Sequence, residues 1–159
     1  MYVDQALEEN GNFTFSFVTR AGILNALGRY PEAVEAADQA ITRNPEQAEA
    51  WNNRASALNQ MGQYEEGLAA ADRAAMLDPN LAEAWVNKGT ALIGLKRYSE
   101  ALSASERALA QNPGSEAAHQ NRETALQTLS PVTFQIPSSI TPALMAWASG
   151  TGLFLLRKI

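Results

Sequence analysis

A period of 34 residues runs through the chain and constrains its fold more than any other feature. Trp51 and Trp85 stand one period apart. The same interval relates a tyrosine set and a proline set, namely Tyr30, Tyr64 and Tyr98, and Pro45, Pro79 and Pro113. A fixed period of this size is typical of stacked supersecondary units that cannot bury their apolar faces alone. Such proteins typically present an extended surface to a partner instead of performing chemistry.

Composition agrees with a folded, non-enzymatic chain. Hydrophobic residues make up 46% of the 159 residues and charged residues only 18%, so a shared core is expected. The net charge of −5 argues against nucleic-acid binding, which needs a basic surface along the phosphates. The absence of cysteine excludes disulfides and thiolate metal sites.

Three units align without gaps over 14–47, 48–81 and 82–115. Counted from the start of each unit, position four is large, position eight is small and position eleven is leucine. These residues are Phe17, Trp51 and Trp85; Ala21, Ala55 and Gly89; and Leu24, Leu58 and Leu92. Their spacing places them on one helical face. Each unit then breaks and runs a second helix, rich in small residues, to an Asn-Pro or Asp-Pro.

The break in each unit predicts a left-handed residue at the end of its first helix. Gly28 and Gly62 supply it in the first two units, since glycine adopts this conformation without strain. Lys96 stands there in the third unit. That turn is therefore expected to be slightly strained.

With this register the sequence resembles the tetratricopeptide repeat family, whose signature has the same period and a Trp-Leu-Gly-Tyr-Ala-Phe-Pro pattern. The resemblance covers 14–115 in full and, through partial units, about 1–129. It implies an all-α fold, a right-handed α-α superhelix of about three full repeats. It also implies that the first helices line a concave groove.

Partial units at both ends extend the register. Residues 1–13 match a second helix and 116–129 match a first helix, so one molecule's last helix could stack on another's first segment. Such stacking, or an exchange of tails, would make the chain a self-assembling structural unit. The alternative is a domain boundary with frayed ends.

Asparagines at position six form the main candidate site. They are Asn53, Asn87 and Asn121, with Thr19 in the first unit. The column is similar to the asparagine ladder with which some family members hold a peptide main chain, because each amide offers two donors and an acceptor. The alternative is that these residues only stabilise neighbouring repeats. The other groove residues implied by the resemblance are Asn52, Ser56, Asn59 and Thr90, with Glu49 and Glu83 near the helix starts.

Positions two, five and nine of the groove contain no basic residue in any unit. Family members that grip the C-terminal carboxylate of chaperones use lysine and arginine on this face. A carboxylate clamp is therefore not expected here. The favoured partner is a neutral or mildly basic extended protein segment, bound without a cofactor.

Two charged columns also follow the period. The basic one is Arg20, Arg54, Lys88 and Arg122, and the acidic one is Asp4, Asp38, Asp72 and Glu106. The basic column could be an anion track, or the two columns could pair between helices. We favour pairing, with the long basic stems packed along apolar surface.

The C-terminal region lies outside the period. Residues 130–142 are expected to be an extended linker, and 143–159 an apolar tail that is helical in part. The tail could dock on its own repeats, dock on those of another copy, or anchor a scaffold in a membrane through 140–156. The anchor is disfavoured because that stretch is short for a span and is interrupted by Ser149–Gly152. Since the N-terminus has no signal peptide pattern, a cytoplasmic location is the default expectation.

No catalytic constellation is present in the sequence. The single histidine, His119, takes the core aromatic position four of the last partial unit and is expected to be packed there. No phosphate-binding glycine motif or nucleophile elbow occurs. The sequence thus predicts a protein-protein interaction module, with a self-assembling unit as the alternative.

Overall fold

The computed structural model describes residues 13–130, and every regular element in that range is an α-helix. Seven helices follow one another through short turns. They are α1 Phe13–Ala26, α2 Tyr30–Arg43, α3 Ala48–Gln60, α4 Tyr64–Leu77, α5 Ala82–Gly94, α6 Tyr98–Gln111 and α7 Glu116–Leu129. The predicted all-α fold of three helix pairs and a further single helix is confirmed. The N-terminal half-repeat, the linker and the tail lie outside the described residues.

The helices form two layers, and the helices of one layer approach one another more closely than those of the other. Each helix packs on the next, and the odd-numbered helices α1, α3, α5 and α7 also pack on one another in sequence. The backbones of the even-numbered helices α2, α4 and α6 lie farther apart, with no Cα atoms within 8 Å of one another. The stack therefore curves, with the odd-numbered helices on its inner side. This curvature creates a groove on the inner side.

Small residues allow the two helices of each pair to approach closely. Position eight and position 24 of the units are fully or nearly fully buried: Ala21, Ala55, Gly89, Ala37, Ala71 and Ser105. A Cβ added at Gly89 would meet Ser105 Oγ at 3.2 Å, so even alanine would be tight there. Because interiors are packed to crystal density, these positions fix the spacing of the layers. Leu92 fills the space beside them in the third unit.

The tryptophans are half-buried and tie each unit to the proline before it. Trp51 Nε1 donates to the carbonyl of Pro45 at 2.8 Å, and Trp85 Nε1 donates to that of Pro79 at 2.9 Å. His119 Nε2 lies 2.9 Å from the equivalent carbonyl, that of Pro113. The expectation that His119 is packed is wrong, since the residue is exposed. It lies on α7, the last helix of the described range, where no further described helix follows to cover position four.

The three turns adopt the expected left-handed conformation. The φ angles are 72° at Gly28, 75° at Gly62 and 59° at Lys96. A side chain in this region crowds the following carbonyl, at a cost of about 1–2 kcal/mol for an L-residue. The strain predicted for the third turn is thus located at Lys96.

Replacing Lys96 by glycine is expected to raise the free energy of unfolding by about 1 kcal/mol, because the left-handed strain disappears. The matched control is Lys96→Ala, which removes the charge but keeps the Cβ and is expected to give no gain. Urea denaturation followed by circular dichroism measures both variants. Equal gains for the two would assign the effect to charge and contradict the conformational explanation.

The charged columns pair between helices at two places, as favoured from the sequence, whereas Arg122 and Glu106 form no ion pair among the described residues. Arg54 Nε lies 2.8 Å from Asp38 Oδ1, and Lys88 Nζ lies 2.7 Å from Asp72 Oδ1. Lys88 also lies over the Trp85 ring, 5.3 Å from its centroid. The two pairs confirm the interpretation for the second and third units. Asp4 lies outside the described residues.

Two further ion pairs lie at the starts of α2 and α6. Arg29 donates to Glu32, and Arg97 donates to Glu100 with both guanidinium contacts at 2.7 Å. These hydrogen bonds hold the pKa of Glu32 and of Glu100 below the usual range for a glutamate. Both pairs are solvent-exposed, so their contribution to stability is small.

None of the helices in the described range has the length and apolarity needed to cross a membrane. The stretch 140–156, considered above as an anchor, lies outside that range.

Candidate functional site

The inner side of the stack carries an open cavity of about 280 Å³. Residues of all four odd-numbered helices line it. Its lining residues are Gly22, Asn25, Asn52, Asn53, Ser56, Glu83, Val86, Asn87, Ser115 and Ala117. We call this surface the groove. Five of the nine residues predicted for the site from the sequence lie in its lining.

The other four predicted residues lie around this cavity and not in its lining. Glu49 is exposed, and its carboxylate accepts a hydrogen bond from Gln47 Nε2 at 2.9 Å. Asn121 and Thr90 are half-buried and bonded to each other, with Asn121 Nδ2 donating to Thr90 Oγ1 at 3.0 Å. Asn59 is only 5% exposed. Its placement on the groove surface was therefore wrong, and it is an internal residue.

The asparagines at position six bond backward to the preceding unit. Asn53 Nδ2 donates to the carbonyl of Val18 at 3.0 Å, and Asn121 Nδ2 donates to that of Val86 at 3.1 Å. Asn87 Nδ2 donates to Asn52 Oδ1 at 2.8 Å. The amide nitrogens of these three residues therefore join neighbouring repeats. Their amide donors serve the fold.

A second asparagine set bonds forward; Asn25 was not recognised from the sequence, and Asn59 was expected on the groove surface instead. Asn25 Nδ2 donates to the carbonyl of Asn53 at 2.9 Å, and Asn59 Nδ2 donates to that of Asn87 at 2.8 Å. Forward and backward bonds together tie α1 to α3 and α3 to α5 by a reciprocal pair of amides. Asn25 and Asn59 are one period apart in the sequence, and this signal could have revealed them. Ile93 occupies the equivalent place in the third unit.

The amide oxygens of the position-six column remain available. Within residues 14–130, no donor reaches the Oδ1 of Asn53, Asn87 or Asn121. All three residues are half-buried, so the oxygens are held in defined places by the bonds that their nitrogens make. The column therefore presents acceptors at one-repeat intervals, where the sequence alone suggested both donors and acceptors.

The charge of the groove is negative. Glu49 and Glu83 are exposed, and neither forms an ion pair within the described residues. No lysine or arginine lies in the lining of the cavity. The described part of the chain also contains no group of three or more acidic or histidine side chains placed to hold a metal ion. The groove can thus attract donors and cations, and repel anions.

Comparison with known proteins identifies the family. The family model "Tetratricopeptide repeat" matches residues 23–82 and 60–116. The TPR2B domain of yeast Sti1, solved in complex with pHsp70, is 31% identical, with a TM-score of 0.63. That match covers 70% of this chain and 98% of the Sti1 chain. The protein belongs to the tetratricopeptide repeat family.

Other solved structures share the fold. The second TPR domain of human RPAP3, in complex with the HSP70 peptide SGPTIEEVD, is 27% identical with a TM-score of 0.65, covering 70% of this chain and 93% of that one. The first TPR domain of human RPAP3 is 21% identical with a TM-score of 0.70, covering 74% and 93%. The comparison with curated protein sequences found no match. As a TPR domain, the described part is a protein-protein interaction module and not an enzyme.

Proposed function

We propose that this chain binds an extended, neutral to basic segment of a partner protein in the groove. The observation that carries the proposal is the column of fixed amide oxygens on a surface without cations. Asn53, Asn87 and Asn121 each use Nδ2 for a bond within the fold, and their Oδ1 atoms accept no hydrogen bond within residues 14–130. The main chain of an extended peptide carries N–H donors that can match such a series.

The strength of these contacts limits what they can do alone. A hydrogen bond contributes a net 0.5–1.5 kcal/mol, so three of them supply roughly 1.5–4.5 kcal/mol. A micromolar dissociation constant needs about 8 kcal/mol. The asparagine column therefore aligns a peptide main chain, and side-chain contacts with the rest of the groove must supply most of the affinity.

The charge of the groove does not suit the peptide that one structural relative binds. The peptide in the RPAP3 complex ends in Glu-Glu-Val-Asp and is strongly acidic. Here Glu83 lies in the lining of the cavity and Glu49 beside it, with no lysine or arginine in the lining to neutralise an acidic ligand. We therefore propose that this chain does not bind peptides of that type.

A wedge in the groove tests the proposal. Gly22 lies in the cavity lining, and a Cβ added there would meet its nearest atom, Asn53 Nδ2, at 3.8 Å, which is ordinary contact. Gly22→Leu is expected to fill the cavity and weaken the binding of groove ligands at least tenfold. Both leucine and alanine favour a helix over glycine by nearly 1 kcal/mol, so the fold is expected to gain stability.

The matched control is Gly22→Ala, which gains helix propensity but leaves the cavity open. Peptides selected from a random library against the wild-type chain are titrated with all three proteins, and the melting temperature is measured in parallel. The proposal expects binding to be lost only in Gly22→Leu, although both variants melt at or above the wild-type temperature. Full binding by a stable Gly22→Leu variant would place the ligand elsewhere.

A further inference from the structure

At the α1 end of the groove face, a large apolar side chain is exposed. Phe15 occupies position two of α1, the position that Glu49, Glu83 and Ala117 occupy on α3, α5 and α7. Glu83 and Ala117 line the cavity. Phe15 lies seven residues before the lining residue Gly22, which places both on one face of α1. The Phe15 side chain is 64% exposed.

Phe15 offers a bound segment an exposed apolar contact at this end of the groove. Covering a side chain of this size contributes about 1.5–3 kcal/mol, the kind of affinity that the amide column lacks.

The acidic residues lie farther along the same surface. Glu83 is on α5, two odd-numbered helices away from Phe15, and Glu49 is on α3 between them. Packed helices are 8–10 Å apart, so roughly 16–20 Å separates the apolar end from Glu83. An extended peptide advances about 3.3 Å per residue, and five or six residues cover that distance.

Building on the proposed function, we infer that the groove recognises a two-part motif in its partner. The motif is a bulky apolar side chain that covers Phe15, and a lysine or arginine five or six residues away that pairs with Glu83. The main chain between them lies along the Oδ1 atoms of Asn53 and Asn87. Charge complementarity selects the cation, because the lining of the cavity holds Glu83 and no positive side chain.

Blocked heptapeptides test the motif directly. The probes are Phe-Ser-Gln-Ser-Gln-Ser-Lys and its reverse, each acetylated and amidated so that only the lysine is charged. They are titrated into the ¹⁵N-labelled full chain and followed by NMR. One of the two orders is expected to bind with a dissociation constant at or below about 1 mM. Replacing its lysine by glutamine, or its phenylalanine by serine, is expected to weaken binding several-fold to tenfold.

Protein variants assign each half of the motif to its contact. For the Glu83→Gln protein, replacing the peptide lysine by glutamine is expected to change the dissociation constant very little. Replacing the peptide phenylalanine by serine should still weaken binding as it does for the wild-type protein. Phe15→Ser is expected to show the opposite pattern. Both positions are exposed, so the fold should tolerate these changes.

Two results overturn this inference. One is the absence of binding for both peptide orders. The other is peptide binding that is unchanged when the peptide lysine or phenylalanine is replaced, or that weakens by the same factor in the wild-type protein and in both protein variants. Neither result touches the Gly22→Leu experiment, which uses selected peptides of any sequence. The failure of the motif and the failure of the groove can therefore be distinguished.

Discussion

Leu92→Ala is expected to lower the free energy of unfolding by about 2–5 kcal/mol, the range for removing a large apolar side chain from a packed core. Leu92 is 1% exposed and packs in a cluster with Ala101, Ala104 and Ala125. Its fully buried neighbours in the cluster are alanines, whose side chains cannot move to fill the space that a deleted isobutyl group leaves; larger side chains such as Trp85 and Ile93 pack around the cluster. The cluster also joins α5, α6 and α7, so the loss affects two interfaces between helices.

The periodic sequence offers a control at the same repeat position. Leu126 corresponds to Leu92 in the last unit but is 38% exposed. Leu126→Ala is expected to cost at most about 1 kcal/mol, since less area returns to water and no closed cavity forms. Urea denaturation followed by circular dichroism compares the two. Equal losses would contradict the assignment of α7 as the solvent-facing end of the described stack.

The second large effect concerns Asn59 and Gly67, which pack against each other inside the second unit. A Cβ added at Gly67 would lie 2.2 Å from Asn59 Oδ1, a distance that real structures do not tolerate. Gly67→Ala is therefore expected to destabilise the fold by about 1–3 kcal/mol, as overpacking does. Asn59→Ala is expected to cost about 1–3 kcal/mol, because the carbonyl of Asn87 loses its donor.

The double variant is expected to lose less free energy of unfolding than the two single variants lose in sum. Without the amide, the new methyl group of Gly67→Ala has space, so its cost should largely disappear. The Oδ1 of Asn59 is buried without a partner among the described groups, and its removal also relieves a desolvated acceptor. A double-mutant cycle measures the coupling, expected at about 1–3 kcal/mol. Additive effects would show that the two residues do not meet as described.

The sequence predicted most of the fold because the residues that determine it follow a strict period. The period sets Trp51 and Trp85 among buried leucines and small residues. This pattern specifies helix pairs whose apolar faces can be buried only when the pairs stack. Gly28 and Gly62 marked the turns, and Lys96 marked the strained one. These features are local or repeat at one interval, so no tertiary information was needed to recognise them.

The candidate site was predicted less completely, for a physical reason. Spacing places Asn53 on a groove face, but it does not say whether its amide nitrogen meets a ligand or the carbonyl of Val18. That choice depends on how closely α1 and α3 approach, which is a property of the packed stack. Close helix packing of the same kind buries Asn59, whose amide nitrogen then bonds to the carbonyl of Asn87 in the next repeat. The exposure of His119 likewise follows from its place on the last described helix.

The groove itself was expected from the resemblance to the family, and the absence of basic residues beside Glu49 and Glu83 indicated its charge. The apolar end at Phe15 required the structure, because a hydrophobic residue in a helix is expected to be buried until its surroundings are known. Two further cavities lie on the outer helices, one along α2 at Pro31 and Thr42 and one beside α6 at Ser103. They provide the internal comparison for locating the ligand.

The most direct test of the central claim is an NMR map of the ¹⁵N-labelled full chain with a peptide selected against it. Binding in the groove predicts the largest shifts at the backbone amides of Gly22 and Ser56 and at the side-chain amides of Asn53 and Asn87. Thr42 and Ser103 should remain unchanged. Shifts confined to Thr42, Ser103 and their neighbours on α2 and α6, with the asparagine amides unmoved, would contradict the account.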